Sequence, residues 1–460
     1  MGLRTRASST LRNVDVMLLL LAWCAVFWFH QTYIPRKVIE QCSFHQSNST
    51  TFTVLMIADP QLIDNHTYPG RNKILLGLSK HTVDTYLTRN FRHLISTLHP
   101  DSVMFVGDLM DNGRSSEDNY YEREYSRFKN IFPDSDSYEM LTNVPGNHDV
   151  GWANGVKKHA VGRFNMHFGE SNTVITRGNH EFIFLDSLSL SNTNDESIYG
   201  PSSRFMQEFK NRRKDKPRIL LTHVPLFRNP DIDCGPMREG GKFPLTQGYQ
   251  YQTVLDNELS EEILASFKPD LILTGDDHDY CEYNHEYHVN ETSYIAKEIT
   301  VKSISMAMGI QRPAVELLTL QNEKLYFSIC HLERPYREVI TYVLLAALTV
   351  VIIFFWNNTH IRGRRYQPLA NRSIRNKLAN YVKGIEVDNF GPATTILVGQ
   401  ADQETPASNN FATSWWNLKH HTRAPIGSSL FTKLNFGVFI KKCAIMSLCV
   451  AILYINMVGI

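Results

Sequence analysis

The 460-residue chain is poor in cysteine, with seven, and this excludes a small disulfide scaffold. Its net charge is only +1 with histidine neutral, so no global basic field marks it as a nucleic-acid binder. It has no phosphate-cradling P-loop, no GxSxG nucleophile elbow and no internal repeat. Mean hydropathy is −0.26, too low for a transporter built mostly of spans, yet compatible with two or three of them. What is present is a globular composition, 43% apolar and 20% charged, long enough for one large domain or two ordinary ones.

These averages conceal segregation. Val16–Phe29 is an uncharged apolar run behind Arg4, Arg6 and Arg12, and with the residues through Ile34 it reads as an anchor. A cleaved signal peptide is the alternative, but Phe27-Trp28-Phe29-His30 lacks the small residues that signal peptidase needs. Val339–Trp356 and Cys443–Ile460 are uncharged runs of 18 residues each, the length of a span. A terminal GPI attachment signal is a competing reading of the second run, disfavoured by its basic flank and cytosolic approach. Asn357–Lys442 carries twelve Lys and Arg against four Asp and Glu, so the positive-inside rule places it in the cytosol with residues 1–15.

The expected organisation follows from these positions. It is a cytosolic tail (1–15), an anchor (16–34), a lumenal domain (35–338), a second span (339–356), a basic cytosolic loop (357–442) and a third span (443–460). The tail contributes +2 and the loop +8, which leaves −9 for the rest of the chain. The lumenal segment holds sequons at Asn48, Asn65 and Asn290, and the four cysteines Cys42, Cys234, Cys281 and Cys330, which an oxidising lumen could pair.

Within that segment five short apolar runs each end in a polar cluster. Thr53–Ala58 leads into Asp59-Pro60-Gln61, and Ser102–Val106 into Gly107-Asp108 and Asp111. Met140–Val144 precedes Gly146-Asn147-His148-Asp149, Arg218–Leu221 precedes His223, and Asp270–Leu273 precedes Gly275-Asp276-Asp277-His278. Helical patterns such as Thr82–Leu98 and Ser260–Phe267 fall between them, which predicts a mostly parallel sheet covered on both faces. In such sheets ligands gather at the carboxyl ends of the strands, where all five clusters fall. Glycines beside Asp108, Asn147 and Asp276 are expected to let the chain turn sharply there.

Asp, Asn, Gln and His converging on one point form a ligand set for divalent cations, and without cations so many carboxylates would repel one another. One cation would leave ligands unused, so two are expected, bridged by a carboxylate. Cys281-x₃-His285-x₂-His288 has some zinc-like spacing, but it lacks a second nearby cysteine, and scattered histidines or a disulfide at Cys281 explain it better. Tyr120–Phe132 has aromatics at helical spacing, read as core packing, with a wall of the substrate groove as the alternative.

The series Asp59-x-Gln61, Gly107-Asp108-x-x-Asp111, Gly146-Asn147-His148-Asp149, His223 and Gly275-Asp276-x-His278 resembles the signature of calcineurin-like metallophosphoesterases. The resemblance implies an α/β four-layer αββα sandwich with a dinuclear centre, joined here to three transmembrane helices. By motif position Asp59, Gln61, Asp108 and His278 would hold one metal ion. Asp108, Asn147, His223 and Asp276 would hold the other, with Asp111 behind them. His148 would contact the phosphoryl group or protonate the leaving oxygen, with Asp149 or another acid orienting it. The family usually has His at the positions of Gln61 and Asp276. Both replacements substitute oxygen for nitrogen and favour Mn²⁺ or Mg²⁺ over Zn²⁺, with Fe also open.

Ala58–Leu62, Gly275–Glu282 and Ser303–Gly309, on a membrane-anchored domain, further resemble the fungal endoplasmic-reticulum phosphoesterases that remodel GPI anchors. That resemblance implies removal of an ethanolamine phosphate branch from a mannose of the glycan. The substrate would be a GPI glycolipid or a GPI-anchored protein, and export of such proteins toward the Golgi would be supported. A trafficking factor that binds such cargo, with cargo-receptor partners and with catalysis absent or secondary, is the second reading.

Overall fold

The apolar runs form short strands, and sheets join them in an order that local sequence does not encode. The computed structural model describes residues 3–46, 50–229, 231–248, 251–365 and 436–458; Asn48 and most of the basic loop expected over 357–442 lie outside them. The chain begins with α1 (Leu3–Trp28), a π-helical turn (Phe29–Tyr33) and α2 (Ile34–Ile39). The domain continues through β1 (Phe52–Ile57), α3 (Lys73–Leu98), β2 (Ser102–Phe105), α4 (Asp118–Ile131), β3 (Glu139–Leu141), α5 (Asn147–Val150) and α6 (Lys158–Phe168). Next come β4 (Thr173–Arg177), β5 (His180–Phe184), α7 (Ser187–Leu190), α8 (Glu196–Lys210), β6 (Arg218–Leu221), β7 (Gln247–Gly248), β8 (Tyr251–Gln252), α9 (Asn257–Phe267) and β9 (Leu271–Thr274). The chain then forms β10 (Cys281–Val289), β11 (Thr292–Thr300), β12 (Ala314–Gln321), β13 (Lys324–His331), α10 (Pro335–Arg365) and α11 (Phe436–Val458).

The two-sheet α/β sandwich implied by the resemblance is present, with two mixed sheets in place of the one mostly parallel sheet that the residue pattern alone suggested. The first has the order β13-β12-β1-β2-β3 and the second β10-β11-β9-β6-β5-β4. The parallel strands β1, β2 and β3 lie in one sheet, and β5, β6, β9 and β11 in the other. Antiparallel β12 and β13 extend one sheet, and antiparallel β10 and β4 border the other.

Alternation along the strands places core between the sheets and on the outer face of each. Val54, Met56, Met104, Leu318, Phe182, Phe184, Ile219, Leu221 and Leu273 pack between the sheets. Their neighbours Leu55, Ile57, Val103 and Phe105 face Tyr86, Leu87 and Phe91 of α3, while Leu220 and Ile272 face the side of Phe209, Ile263 and Phe267. Strands buried on both faces therefore read as continuous apolar runs, which is why they were visible in the sequence.

Among the described residues, three helical stretches are long and apolar enough to cross a membrane: Asp15–Ile39, Pro335–Asn357 and Phe436–Val458. The first continues past Ile34, the expected end of the anchor, to Ile39. The π turn before Pro35 absorbs the hydrogen bond that proline cannot donate. The chain divides into two compact units, Met1–Val343 with Leu453–Ile460, and Leu344–Ile452. Within the second unit, Phe354 meets Phe439 edge to face with ring centroids at 6.1 Å.

Disulfides join Cys42 to Cys330 and Cys234 to Cys281. They indicate a domain outside the cytosol, on a protein with three helices able to span a membrane. Alkylation of the denatured, unreduced protein should therefore label three cysteines, Cys24, Cys443 and Cys449. Labelling of all seven, read by peptide mass spectrometry, would contradict an oxidising environment for the domain.

Candidate metal centre

Every candidate ligand sits just beyond the carboxyl end of a parallel strand. Asp59 and Gln61 follow β1, Asp108 follows β2, Asn147 opens α5 after β3, His223 follows β6, and Asp276 and His278 follow β9. Five of these seven residues hold left-handed backbone, with φ of 47° at Asp59, 34° at Gln61, 49° at Asp108, and 66° at both Asp276 and His278. For residues with a Cβ this conformation costs about 1 kcal/mol or more each, and the surrounding packing must hold it. The sharp turns expected of the glycines are thus made largely by the ligands themselves. Gly146 serves another purpose: a Cβ there would lie 2.0 Å from Asp108 Oδ1. At Gly107 a Cβ would meet His223 Nδ1 at 2.3 Å.

His223 is fully buried at the middle of the group. Its Nδ1–H donates to the Val106 carbonyl at 2.8 Å. Its Nε2 faces Asn147 Oδ1 at 3.2 Å, Asp108 Oδ1 at 3.4 Å and Asp276 Oδ1 at 3.6 Å. A ring tied to a backbone carbonyl at one nitrogen, with the other turned to carboxylates, is arranged as a metal-ligating histidine commonly is. Asp276 N–H donates to Asp59 Oδ1 at 3.1 Å, which draws the first and fifth clusters together.

The residues fit divalent cations. Asp59, Asp108 and His278 offer ligand atoms that all lie within 4.8 Å of one another. Asp59 Oδ2 and Gln61 Oε1 are buried with no hydrogen-bond partner, a costly state for oxygen atoms unless a cation or another donor meets them. Burial pushes the Asp59 carboxyl well up, and Asp108 and Asp276 add to the shift against the opposing pull of His223. Burial likewise lifts Asp276 to about 7, again against His223. Burial lowers His278 to about 4, leaving a neutral ring able to ligate.

Asp111 orders the mouth of the centre. Its Oδ1 accepts from Gln61 Nε2 at 2.9 Å and its Oδ2 accepts from Thr67 Oγ1 at 2.5 Å. Holding the Gln61 amide by its nitrogen leaves the amide oxygen free, which is the atom a hard cation takes. His148 Nδ1 lies 2.7 Å from the Asp111 carbonyl and 3.1 Å from Asp111 Oδ1. The His148 side chain is 26% exposed, so it faces the approach to the centre. Burial alone would lower this ring, but Asp108 and the Asp111 bond outweigh it and raise it to about 9. Gln61 Nε2 at 3.0 Å from His148 Nε2 suits the neutral ring instead, the form that cations alongside would favour.

Asp149, expected as an acid that could orient His148, does something else. Its carboxylate accepts from the backbone N–H groups of Leu109, Met110 and Gly146 at 3.0, 3.0 and 2.9 Å. It fastens the second and third clusters to each other, and the acid at the His148 ring is Asp111.

Other supports come from outside the five clusters. Ser303 Oγ donates to the Asp59 carbonyl at 2.8 Å, and Arg238 pairs with Asp277 beside Asp276. Both come from segments far from the ligands in sequence, so only tertiary structure shows them. Cys281 is in a disulfide and His285 bonds Glu298 Oε2 at 2.6 Å, which accounts for the zinc-like spacing. Tyr121, Phe128 and Ile131 of α4 enter the core, while Tyr120 bonds Asn65 N–H at 3.1 Å near the site. Asn65 and Asn290 are exposed.

Residues 52–280 match the family described as calcineurin-like phosphoesterase. The chain is 34% identical to cell division control protein 1 of Saccharomyces cerevisiae, over 76% of this chain and 76% of that protein. It is 26% identical to metallophosphoesterase 1 of Danio rerio, over 74% of this chain and 93% of that protein.

Two outcomes are expected. Asp149→Asn should lower the thermal midpoint by the loss of about 1–3 kcal/mol, because the amide nitrogen cannot accept and at least one buried backbone N–H is left unpaired, whereas an acid that only oriented His148 would leave it unchanged. The second concerns pH. The Asp276 carboxyl keeps its proton up to about 7 in the folded, cation-free protein but loses it near 4 when unfolded. The cation-free fold is therefore favoured most at low pH and loses that stability as pH rises through 7. Added Mn²⁺ should raise the melting temperature of chelator-treated protein more at pH 8 than at pH 5.5; an equal or larger shift at pH 5.5 would contradict this.

Proposed function

The chain belongs to the calcineurin-like phosphoesterase family, and from that premise we propose that it is a membrane-held, dinuclear phosphodiesterase. In this reading it removes an ethanolamine phosphate branch from a mannose of the GPI-anchor glycan in the endoplasmic reticulum. The observation that carries the catalytic part is the convergence of Asp59, Gln61, Asp108, Asn147, His223, Asp276 and His278, with Asp59 Oδ2 and Gln61 Oε1 left unpartnered. The substrate reading rests on the resemblance of the Asp-Pro-Gln, Gly-Asp-Asp-His and Ser303–Gly309 segments to GPI-remodelling enzymes. Three helices able to span a membrane also suit a lipid-linked substrate.

Asp59, Gln61, Asp108 and His278 would hold one cation, and Asp108, Asn147, His223 and Asp276 the other, with Mn²⁺ favoured by the oxygen-rich set. Bound cations would supply a more acidic water and neutralise charge on the phosphoryl oxygens. The side chains supply the rest. His223 is held in one orientation by Val106, so its Nε2 cannot turn away from the carboxylates. Asp111 fixes the amide of Gln61 and holds the His148 ring through Nδ1, while Nε2 rests against the Gln61 amide. On taking a proton at Nε2, His148 would give up that contact and would touch the phosphoryl group or pass the proton to the leaving oxygen. Asp149 keeps Asp108 and Asn147 in register through the backbone.

Cells carrying only Asp108→Asn should accumulate GPI glycans that retain ethanolamine phosphate, as read by mass spectrometry. The purified variant should lose about 10²-fold or more in phosphodiester hydrolysis, the scale on which removal of a transition-state charge stabiliser acts. Unchanged glycans in the presence of stable variant protein would instead favour a cargo-binding role.

A further inference from the structure

The first turns of α3 carry a surface that the catalytic centre does not explain. From Thr85 to Phe91 this helix is buried on every side. One side packs on the first sheet through Tyr86, Leu87 and Phe91. The other meets the ends of the membrane helices. Arg89 Nη1 donates to Gln31 Oε1 at 2.8 Å and to Glu338 Oε2 at 2.9 Å. The His81 ring meets Tyr454 of α11 edge-on, with centroids 5.6 Å apart. At about 100° per residue, Ile74, Leu78, His81, Thr85 and Arg89 share one stripe of the helix.

Toward the helix start the same stripe loses its cover. Ile74 is 81% exposed, Leu75 57% and Leu78 60%. Three large aliphatic side chains within two turns form a contiguous apolar patch, unlike scattered single exposures. Its rim is cationic and aromatic: Lys73 and Arg71 flank it, and the Arg71 guanidinium lies 3.7 Å from the centroid of Tyr68. Gln31, Glu338 and Tyr454 mark where the three membrane helices meet the domain, and the patch continues the row that touches them. Aliphatic side chains below a rim of Arg, Lys and Tyr have the chemistry of an interfacial membrane helix.

We propose that Ile74, Leu75 and Leu78 insert into the bilayer that holds the three membrane helices, at the boundary between headgroups and acyl chains. Arg71 and Lys73 then lie at the phosphate level. The loop from Gln61 to Asn72 joins the centre to this helix, and its Thr67 holds Asp111. Docking of α3 therefore fixes the height of the metal centre above the membrane, independently of which phosphodiester the centre cleaves.

The test uses the full chain, one copy per phosphatidylcholine nanodisc, with Cys24, Cys443 and Cys449 replaced by serine. An environment-sensitive fluorophore is placed at Ile74→Cys, at Leu78→Cys, or at Gln207→Cys on the exposed side of α8 in the opposite outer layer. Lipids spin-labelled near the headgroup should quench emission from positions 74 and 78 and leave position 207 unquenched. Quenching at 74 and 78 no stronger than at 207 would overturn the proposal. Shielding that arises only when two copies share a disc would overturn it in favour of self-association. The readout needs no catalysis, so it stands or fails apart from the proposed hydrolysis.

Discussion

Asp59, Asp108, Asp149 and Asp276 crowd their carboxylates into one buried centre, and their mutual repulsion is the constraint on which the rest depends. Burial raises Asp59, Asp149 and Asp276 above the usual carboxylate range, so without cations these groups hold protons to higher pH, while Asp108 stays ionised beside His223 and His148. Divalent ions can take the place of those protons. The fold brings the groups together through two mixed sheets whose parallel strands deliver their carboxyl ends to one side. Left-handed backbone at five ligands and the bare Cα atoms of Gly107 and Gly146 then close the last few ångströms. A substitution that relaxed any of these would ease local strain and pull the ligands apart.

The candidate ligands were legible in the sequence because each follows an apolar run, and such runs stand out without knowledge of the sheet. The sheet pairing was not legible. Cys281–Val289 alternates polar and apolar residues along a sheet border, and nothing local says that Ala314–Gln321 pairs with β1 across more than 250 residues of chain. The role of Asp149 was hidden for a related reason. A carboxylate beside His148 in sequence points away from it on the first turn of a helix, and its partners are the N–H groups of the neighbouring loop. Asp111 is 37 residues from His148, and only the folded chain places it at the ring. α3 begins at Lys73, earlier than the expected Thr82, because the turns carrying Gly77 and the exposed Ile74, Leu75 and Leu78 do not follow core periodicity.

Charge and topology answer each other across the chain. Basic residues collect in residues 1–15 and 357–442, while residues 35–338 are acidic and hold the carboxylates of the candidate centre. Arg89, buried between the domain and the helix ends at Gln31 and Glu338, is paired rather than isolated, as a buried cation must be. The domain and its anchors are thus joined by a polar lock, and the loop that carries Gln61 leads straight to the helix that forms it.

The central claim is that the buried carboxylates hold two cations, shared through Asp108. Counting metal per chain in the purified full-length protein, by mass spectrometry with inductively coupled plasma, tests it most directly. The account predicts two divalent ions per chain in the wild type and fewer than one in Asp108→Asn, since both sites lose their common ligand. A wild-type protein with no bound metal after dialysis against Mn²⁺, or an Asp108→Asn variant that still holds two, would contradict it.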